Sequence, residues 1–196
     1  MSAPRIYVDS DLPIGTIATL SEEAYRHLVI VLGRIPEDPV ILFNGRGGEY
    51  LGKIESVAKR KLTVLIQEHY QVERESPLPV TLAQAVSKGE RMDYSIQKAV
   101  ELGVTTIQPL ITDHVVVRLD AERWARKQEH WQGVAVASSE QSGRTRIPTV
   151  LRVVELRDWL NAVPPEALRL VLSPAAVPTT LKRAPSQPVV LLVGPE

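Results

Sequence analysis

The hydrophobic rhythm of this chain changes once, and that change limits its possible folds more than any other feature. Before residue 73, short segments rich in β-branched residues follow one another. After residue 79, strand-like apolar segments alternate with stretches of helical periodicity. The junction, Glu73-Arg74-Glu75-Ser76-Pro77-Leu78-Pro79, is charged and carries two prolines. It reads as a linker over 73–79 between domains spanning 1–72 and 80–196.

In the first domain, Arg5–Val8, Gly15–Leu20, Val40–Phe43, Glu49–Ile54 and Lys61–Gln67 read as strands. Asn44-Gly45-Arg46-Gly47-Gly48 separates two of them as a hairpin turn. It lacks the strand–loop–helix setting and the Lys-Ser/Thr ending of a nucleotide-phosphate loop. One helix interrupts the strands, capped by Ser21, with Tyr25, Leu28, Val31 and Leu32 as its apolar stripe. The pattern fits a small closed β-barrel carrying one helix.

In the second domain, Val80–Val86, Thr106–Ile111, Leu151–Val154, Leu168–Leu172 and Val189–Val193 read as strands. The helices between them run from Arg91 to Leu102, with Gly103 placed for a C′ cap, from Asp120 to about Gln141, and from about Leu156 to Ala162. Repeated β–α–β units predict a mainly parallel sheet with helices on both faces. Ligands bind such sheets at the carboxyl ends of strands, which directs attention to the loops after Val86, Ile111, Leu172 and Val193.

Two of the polar clusters carry candidate chemistry. Lys88 and Arg91 sit at a predicted helix start, with Lys98 further along, and read either as a phosphate site or as ordinary solvated charges. Ser139-Glu140-Gln141-Ser142-Gly143-Arg144-Thr145-Arg146 closes a long helix and presents two arginines beside a carboxylate. Arginine forks suit phosphates and guanine edges; the same residues also suit a helix C-terminus with cations on its dipole.

Composition narrows the classes further. The chain has no Cys, and its four histidines, His27, His69, His114 and His130, lack metal-type spacing, so no metal site is expected. No run approaches the ~20 apolar residues that span a bilayer, and no signal-peptide stretch opens the chain; a cytoplasmic protein without a membrane partner is the expectation. Lys+Arg and Asp+Glu both number 23, so any nucleic-acid contact must rest on local clusters. The glycine fingerprint of dinucleotide-dependent oxidoreductases does not follow the early strands, and the nucleophile elbow of hydrolases does not occur.

These segments, in order, resemble the ribosomal RNA small subunit methyltransferase E family. The resemblance rests on Pro4-Arg5-Ile6-Tyr7, the run from His27 to Leu32, Leu42-Phe43-Asn44-Gly45, Lys88-Gly89-Glu90-Arg91-Met92 and the run from Gln97 to Val104. It continues through Pro109-Leu110, the run from Glu140 to Pro148, and Leu192-Val193-Gly194-Pro195-Glu196. It implies an N-terminal PUA-like RNA-recognition barrel followed by a SPOUT-type α/β domain of the trefoil-knot class, an exception to the no-knot rule. It also implies S-adenosyl-L-methionine-dependent methylation of N3 of a uridine in the decoding region of 16S rRNA. The partners implied are the small ribosomal subunit and a second copy of the chain, joined as a homodimer through the C-terminal domain.

Loss of the N3 proton calls for a catalytic group: Glu140 is a candidate base, and an equally good hypothesis is that Arg144 stabilises the uridine anion at O2 or O4. Arg5, His27, Arg34, Lys88, Arg91, Lys98, Gln141 and Arg146 are expected to contact RNA. Leu172, Ser173, Pro174, Leu192, Val193, Gly194, Pro195 and Glu196 are expected at the donor site. The chain departs from the family at Gly33-Arg34, at Asp113-His114, and at its end, since the family continues past Gly-Pro-Glu. A chain ending there is expected to lack part of the knot, to bind the donor poorly and to dimerise weakly. The alternatives are a non-catalytic RNA-binding module and a SPOUT methyltransferase with another rRNA or tRNA target.

Overall fold

The computed structural model describes residues 3–113, 115, 119–173 and 186–194. The chain divides into two compact units: Met1–Glu75 with Gly143–Ile147, and Ser76–Ser142 with Pro148–Glu196. The assignment of Gly143–Ile147 to the first unit is not apparent from the linear order of the sequence.

The first unit is a curled five-stranded sheet: β1 (Arg5–Tyr7), β2 (Ile17–Leu20), β3 (Pro39–Phe43), β4 (Glu49–Ala58) and β5 (Lys61–Tyr70), in the order β1-β3-β4-β5-β2. Only β1 and β3 run parallel; the other neighbours are antiparallel. Alternation along β4 and β5 turns Ile54, Leu62, Val64 and Ile66 inward, where they meet Ile6, Val40 and Leu42. The β3–β4 turn is the expected hairpin, with Asn44 Oδ1 accepting from the Arg46 amide at 3.2 Å.

The helix in this unit departs from expectation. Ser21 does cap it, accepting from the Ala24 amide at 3.1 Å, but the α-helical part, α1, covers only Glu22–Tyr25. A π-helical segment, Arg26–Val31, follows, closed by Leu32 N–H donating to His27 carbonyl. Hydrogen bonds to the fifth residue add nearly one residue per turn, so the 3.6-residue stripe loses phase. Ala24 and Leu28 stay buried, while Val31, expected inside, is 71% exposed, and Leu32 also turns to solvent.

The second unit is a parallel sheet of β6 (Val80–Ala85), β7 (Thr106–Ile111), β8 (Thr149–Val150), β9 (Val154–Glu155), β10 (Leu168–Leu172) and β11 (Val189–Val193). Its order is β10-β11-β6-β7-β8, with β9 also pairing β7. Helices α2 (Glu90–Glu101) and α3 (Ala121–Ser142) cover one face, where Met92, Ile96, Val100, Trp131 and Ala135 pack on Leu82 and Ile107. The other face carries α4 (Leu156–Ala162), with Trp159 packed near Ala83, Leu110 and Val190. The sequence expectation of helices on both faces holds.

The caps follow the sequence too. Gly103 has φ 92° and its N–H donates to Val100 carbonyl while Val104 N–H reaches Ala99 carbonyl, the paired bonds of a left-handed helix stop. Asp120 Oδ1 accepts from the Arg123 amide at 2.8 Å to start α3. The predicted strand Leu151–Val154 differs: pairing occurs before it in β8 and at its end in β9, and an exposed Leu151 lies in the break between them. Opposite the break lies Pro109, which brings no N–H to the ladder. The Gln108 side chain fills in, donating to Arg152 carbonyl at 2.7 Å and to Pro109 carbonyl at 2.9 Å. The knot expectation falls in part on residues 174–185 and 195–196, which lie outside the described residues.

Candidate active site

The parallel sheet grows from β6 toward β7 and β8, and β10 and β11 add on its other side. The chain path therefore diverges between β6 and β11, and the crevice beyond their carboxyl ends is where a ligand of such a sheet sits. A cavity of about 450 Å³ opens there, lined by Gln84, Ser87, Glu90, Arg91, Tyr94, Ser95, Val193 and Gly194. The volume falls within the usual range of small-ligand clefts.

Strand register assembles one wall. Leu172 pairs with Val193, and Val193 with Gln84, so three segments far apart in sequence end side by side. The Gln84 amide is buried and donates to Ala85 carbonyl at 3.0 Å and to Gly194 carbonyl at 3.5 Å. Among the described residues nothing stands within 4 Å of where a side chain on Gly194 would begin. Of the expected donor residues, Leu172, Ser173, Leu192, Val193 and Gly194 thus lie at adjacent strand ends. Pro174, Pro195 and Glu196 fall outside the described residues. Gln84 was not singled out in the sequence, where a Gln inside an apolar strand is the only available signal.

The opposite wall is α2. Lys88 and Arg91 are exposed at its start, and Lys98 lies further along, with Nζ 2.8 Å from Glu101 Oε2 and 5.7 Å from the centre of the Tyr94 ring. The bond to Glu101 holds the Lys98 ammonium above its ordinary range. A second groove of about 490 Å³ runs between α2 and α3, lined by Glu90, Asp93, Tyr94 and Gln97 on one side and Val134, Ala137, Ser138 and Gln141 on the other. Glu140, half-buried, and Gln141, exposed, belong to the last turn of α3. No group of acidic or histidine side chains able to hold a metal occurs among the described residues.

The remaining expected residues lie in the first unit. Arg144 is buried, and its Nε donates to Glu75 Oε2 at 3.0 Å, with Nη2 on the same carboxylate. Arg5 is drawn inward as well: it pairs with Glu49, donates to Arg144 carbonyl at 2.8 Å and lies 4.9 Å over the Phe43 ring. His27 is half-buried in the π-helical segment, and Arg34 stands 4.0 Å from Asp38. Arg146 is exposed, 3.3 Å from Glu73. The Glu73 carboxyl is held below its ordinary range, first by the Glu75 backbone N–H and then by Thr145 and Arg146.

Comparison with known proteins gives a consistent pattern. A family described as RNA methyltransferase domain matches residues 74–196, and one described as RNA methyltransferase PUA domain matches residues 20–67. The chain is 30% identical to a ribosomal RNA small subunit methyltransferase E from Buchnera aphidicola over 98% of its own length and 79% of that protein's. It superposes with a TM-score of 0.92 on the crystal structure of a ribosomal RNA small subunit methyltransferase E from Neisseria gonorrhoeae bound to S-adenosyl methionine. That match is at 37% identity and covers 99% of this chain and 80% of the other. A putative methyltransferase from Legionella pneumophila, solved with the cofactor SAM, matches with a TM-score of 0.91 at 38% identity, covering 98% and 79%.

Proposed function

Because the chain belongs to the ribosomal RNA small subunit methyltransferase E family, we propose that it methylates N3 of a uridine in the decoding region of 16S rRNA. The chain is an S-adenosyl-L-methionine-dependent methyltransferase acting on small-subunit ribosomal RNA. The observation that carries the site is the register of β10, β11 and β6, which brings Leu172, Val193 and Gln84 together at the point where the sheet's path diverges.

Leu172, Ser173, Leu192, Val193 and Gly194 would hold the methyl donor, with Pro174, Pro195 and Glu196 completing the set. Their main-chain groups at strand ends and the buried Gln84 amide suit a ligand with polar edges and an apolar body. When bound, S-adenosyl-L-methionine supplies the electrophilic methyl carbon; binding, alignment and proton removal fall to the chain.

A neutral uridine carries a proton on N3. That proton must leave as the N3–carbon bond forms, and Glu140 is the proposed base. Arg144 is the proposed stabiliser of the resulting anion at O2 or O4; its pair with Glu75 would have to be shared or exchanged for that duty. Lys88, Arg91, Lys98, Gln141 and Arg146 would position the RNA, and such alignment supplies much of the rate. Arg5, His27 and Arg34 would act from the barrel. A homodimer through the C-terminal domain belongs to the same proposal.

The test is transfer of a radiolabelled methyl group to small-subunit particles or 16S rRNA, followed by mapping of the modified nucleotide. Label on N3 of a decoding-region uridine is the expected result. Label on another base or another RNA overturns the finer assignment, and binding without transfer overturns catalysis.

A further inference from the structure

Tyr94 is a large aromatic side chain left 63% exposed on a helix whose other apolar residues are mostly packed inward. Its position is specific. With Glu90, one turn earlier, it lines both the cavity at the sheet's carboxyl edge and the groove between α2 and α3. The ring therefore forms part of the ridge that separates two concavities of similar size.

Cations flank it on the same helix. Lys98 lies 5.7 Å from the ring centre, which places a cation over one face of a ring that is largely open to solvent. Lys88 and Arg91 stand at the start of the same helix, and Arg91 lines the same cavity. Base-on-aromatic stacking tolerates any base and requires an unpaired one.

We infer that Tyr94 is a stacking platform for an unpaired nucleobase of the RNA substrate, at the lip of the cavity proposed above as the methylation site. The inference rests on that reading for the identity of the ligand. A base stacked on the ridge fixes the strand where it passes between the two concavities, and the neighbouring nucleotide is then presented to the cavity. Tyr94 is a positioning residue: it orders the strand and takes no proton.

The experiment compares the full chain with Tyr94→Phe and Tyr94→Ala, using a fluorescein-labelled single-stranded oligouridine and the same strand annealed to its complement. Ala suits an exposed helix position, so the fold is expected to survive, and thermal melting checks this. Tyr94→Ala should weaken single-strand binding about tenfold, while Tyr94→Phe binds as the parent does. The ratio between parent and Ala should hold as salt is raised, although both affinities fall, because stacking is not an ion-release effect. The duplex should be insensitive to Tyr94→Ala.

Equal binding of Ala and parent overturns the platform. So does a loss in Phe as large as in Ala, which would point to the hydroxyl, or an equal loss on duplex. Methyl transfer by the parent is measured alongside. Tyr94-dependent single-strand binding without transfer supports the platform and defeats the enzymatic reading. Transfer with Tyr94-independent binding defeats the platform alone.

Discussion

Glu75 and Arg144, 69 positions apart, meet as a forked ion pair whose side chains are 10% and 8% exposed. The Glu75 carboxylate also accepts from the backbone N–H groups of Thr145 and Arg146, at 3.1 and 3.2 Å. One carboxylate thereby satisfies an arginine and two amides of a loop that lies far from it along the chain.

Removing one partner of such a buried pair strands the other charge. Glu75→Ala is expected to destabilise the chain by about 3 kcal/mol, and Arg144→Ala by a comparable amount. A double replacement with well-packed apolar side chains should lose much less than the sum, since no buried charge remains. Urea denaturation of the two single variants and the double variant decides this; strict additivity would refute the coupling.

Glu73 gives the same loop an acid limit. A carboxyl depressed in the folded state contributes stability that is complete above the ordinary glutamate range and disappears as pH falls through the lower folded value. The urea midpoints of the parent and Glu73→Gln should therefore differ near neutrality and converge in acid. A gap independent of pH would show that the Glu73 charge contributes nothing.

At Gly48, φ is 74° and an added Cβ would collide with His69 Nε2 and stand 3.0 Å from Tyr70 carbonyl. His69 is itself stacked on Tyr50 at 4.5 Å, so its retreat would break that stacking. Gly48→Ala should cost about 2 kcal/mol from backbone strain together with the clash. Thermal unfolding reads this directly, and an unchanged melting temperature would mean that the turn relaxes.

If Glu140 takes the N3 proton, Glu140→Gln should lower the single-turnover methylation rate about a hundredfold or more and leave RNA affinity nearly unchanged. Raising the pH toward the ionisation of uridine N3 should partly restore the variant, because the substrate then loses its proton without a base. An unaltered single-turnover rate would remove Glu140 from the chemistry.

Much of the second unit was legible because its signals are local. Gly103 and Asp120 mark helix ends by their own backbone and side-chain chemistry, and the apolar runs at 80–86 and 189–193 are strands by composition. The donor segments were found only as separate loops; parallel register, a long-range property, joined Leu172 to Val193 and Val193 to Gln84. Three features gave no local warning. The π-helical winding after Tyr25 turns Val31 out, Pro109 interrupts pairing in a neighbouring strand, and Arg5 is recruited by Glu49 and the Arg144 carbonyl from the far end of the chain. For Arg5 a tertiary partner outweighs a correct reading of the residue's own neighbours.

The loop Gly143–Ile147 leaves the helix-covered sheet, completes the curled sheet's unit and returns, so the polypeptide passes between the units at three points. The two are therefore not interchangeable cassettes. A recombination placed at the Pro-rich junction would join a foreign partner to a barrel deprived of Arg144, with Glu75 facing no counter-ion. Inheritance of one half binds it to inheritance of the other, through five residues that belong to the second domain along the sequence and to the first unit by their contacts.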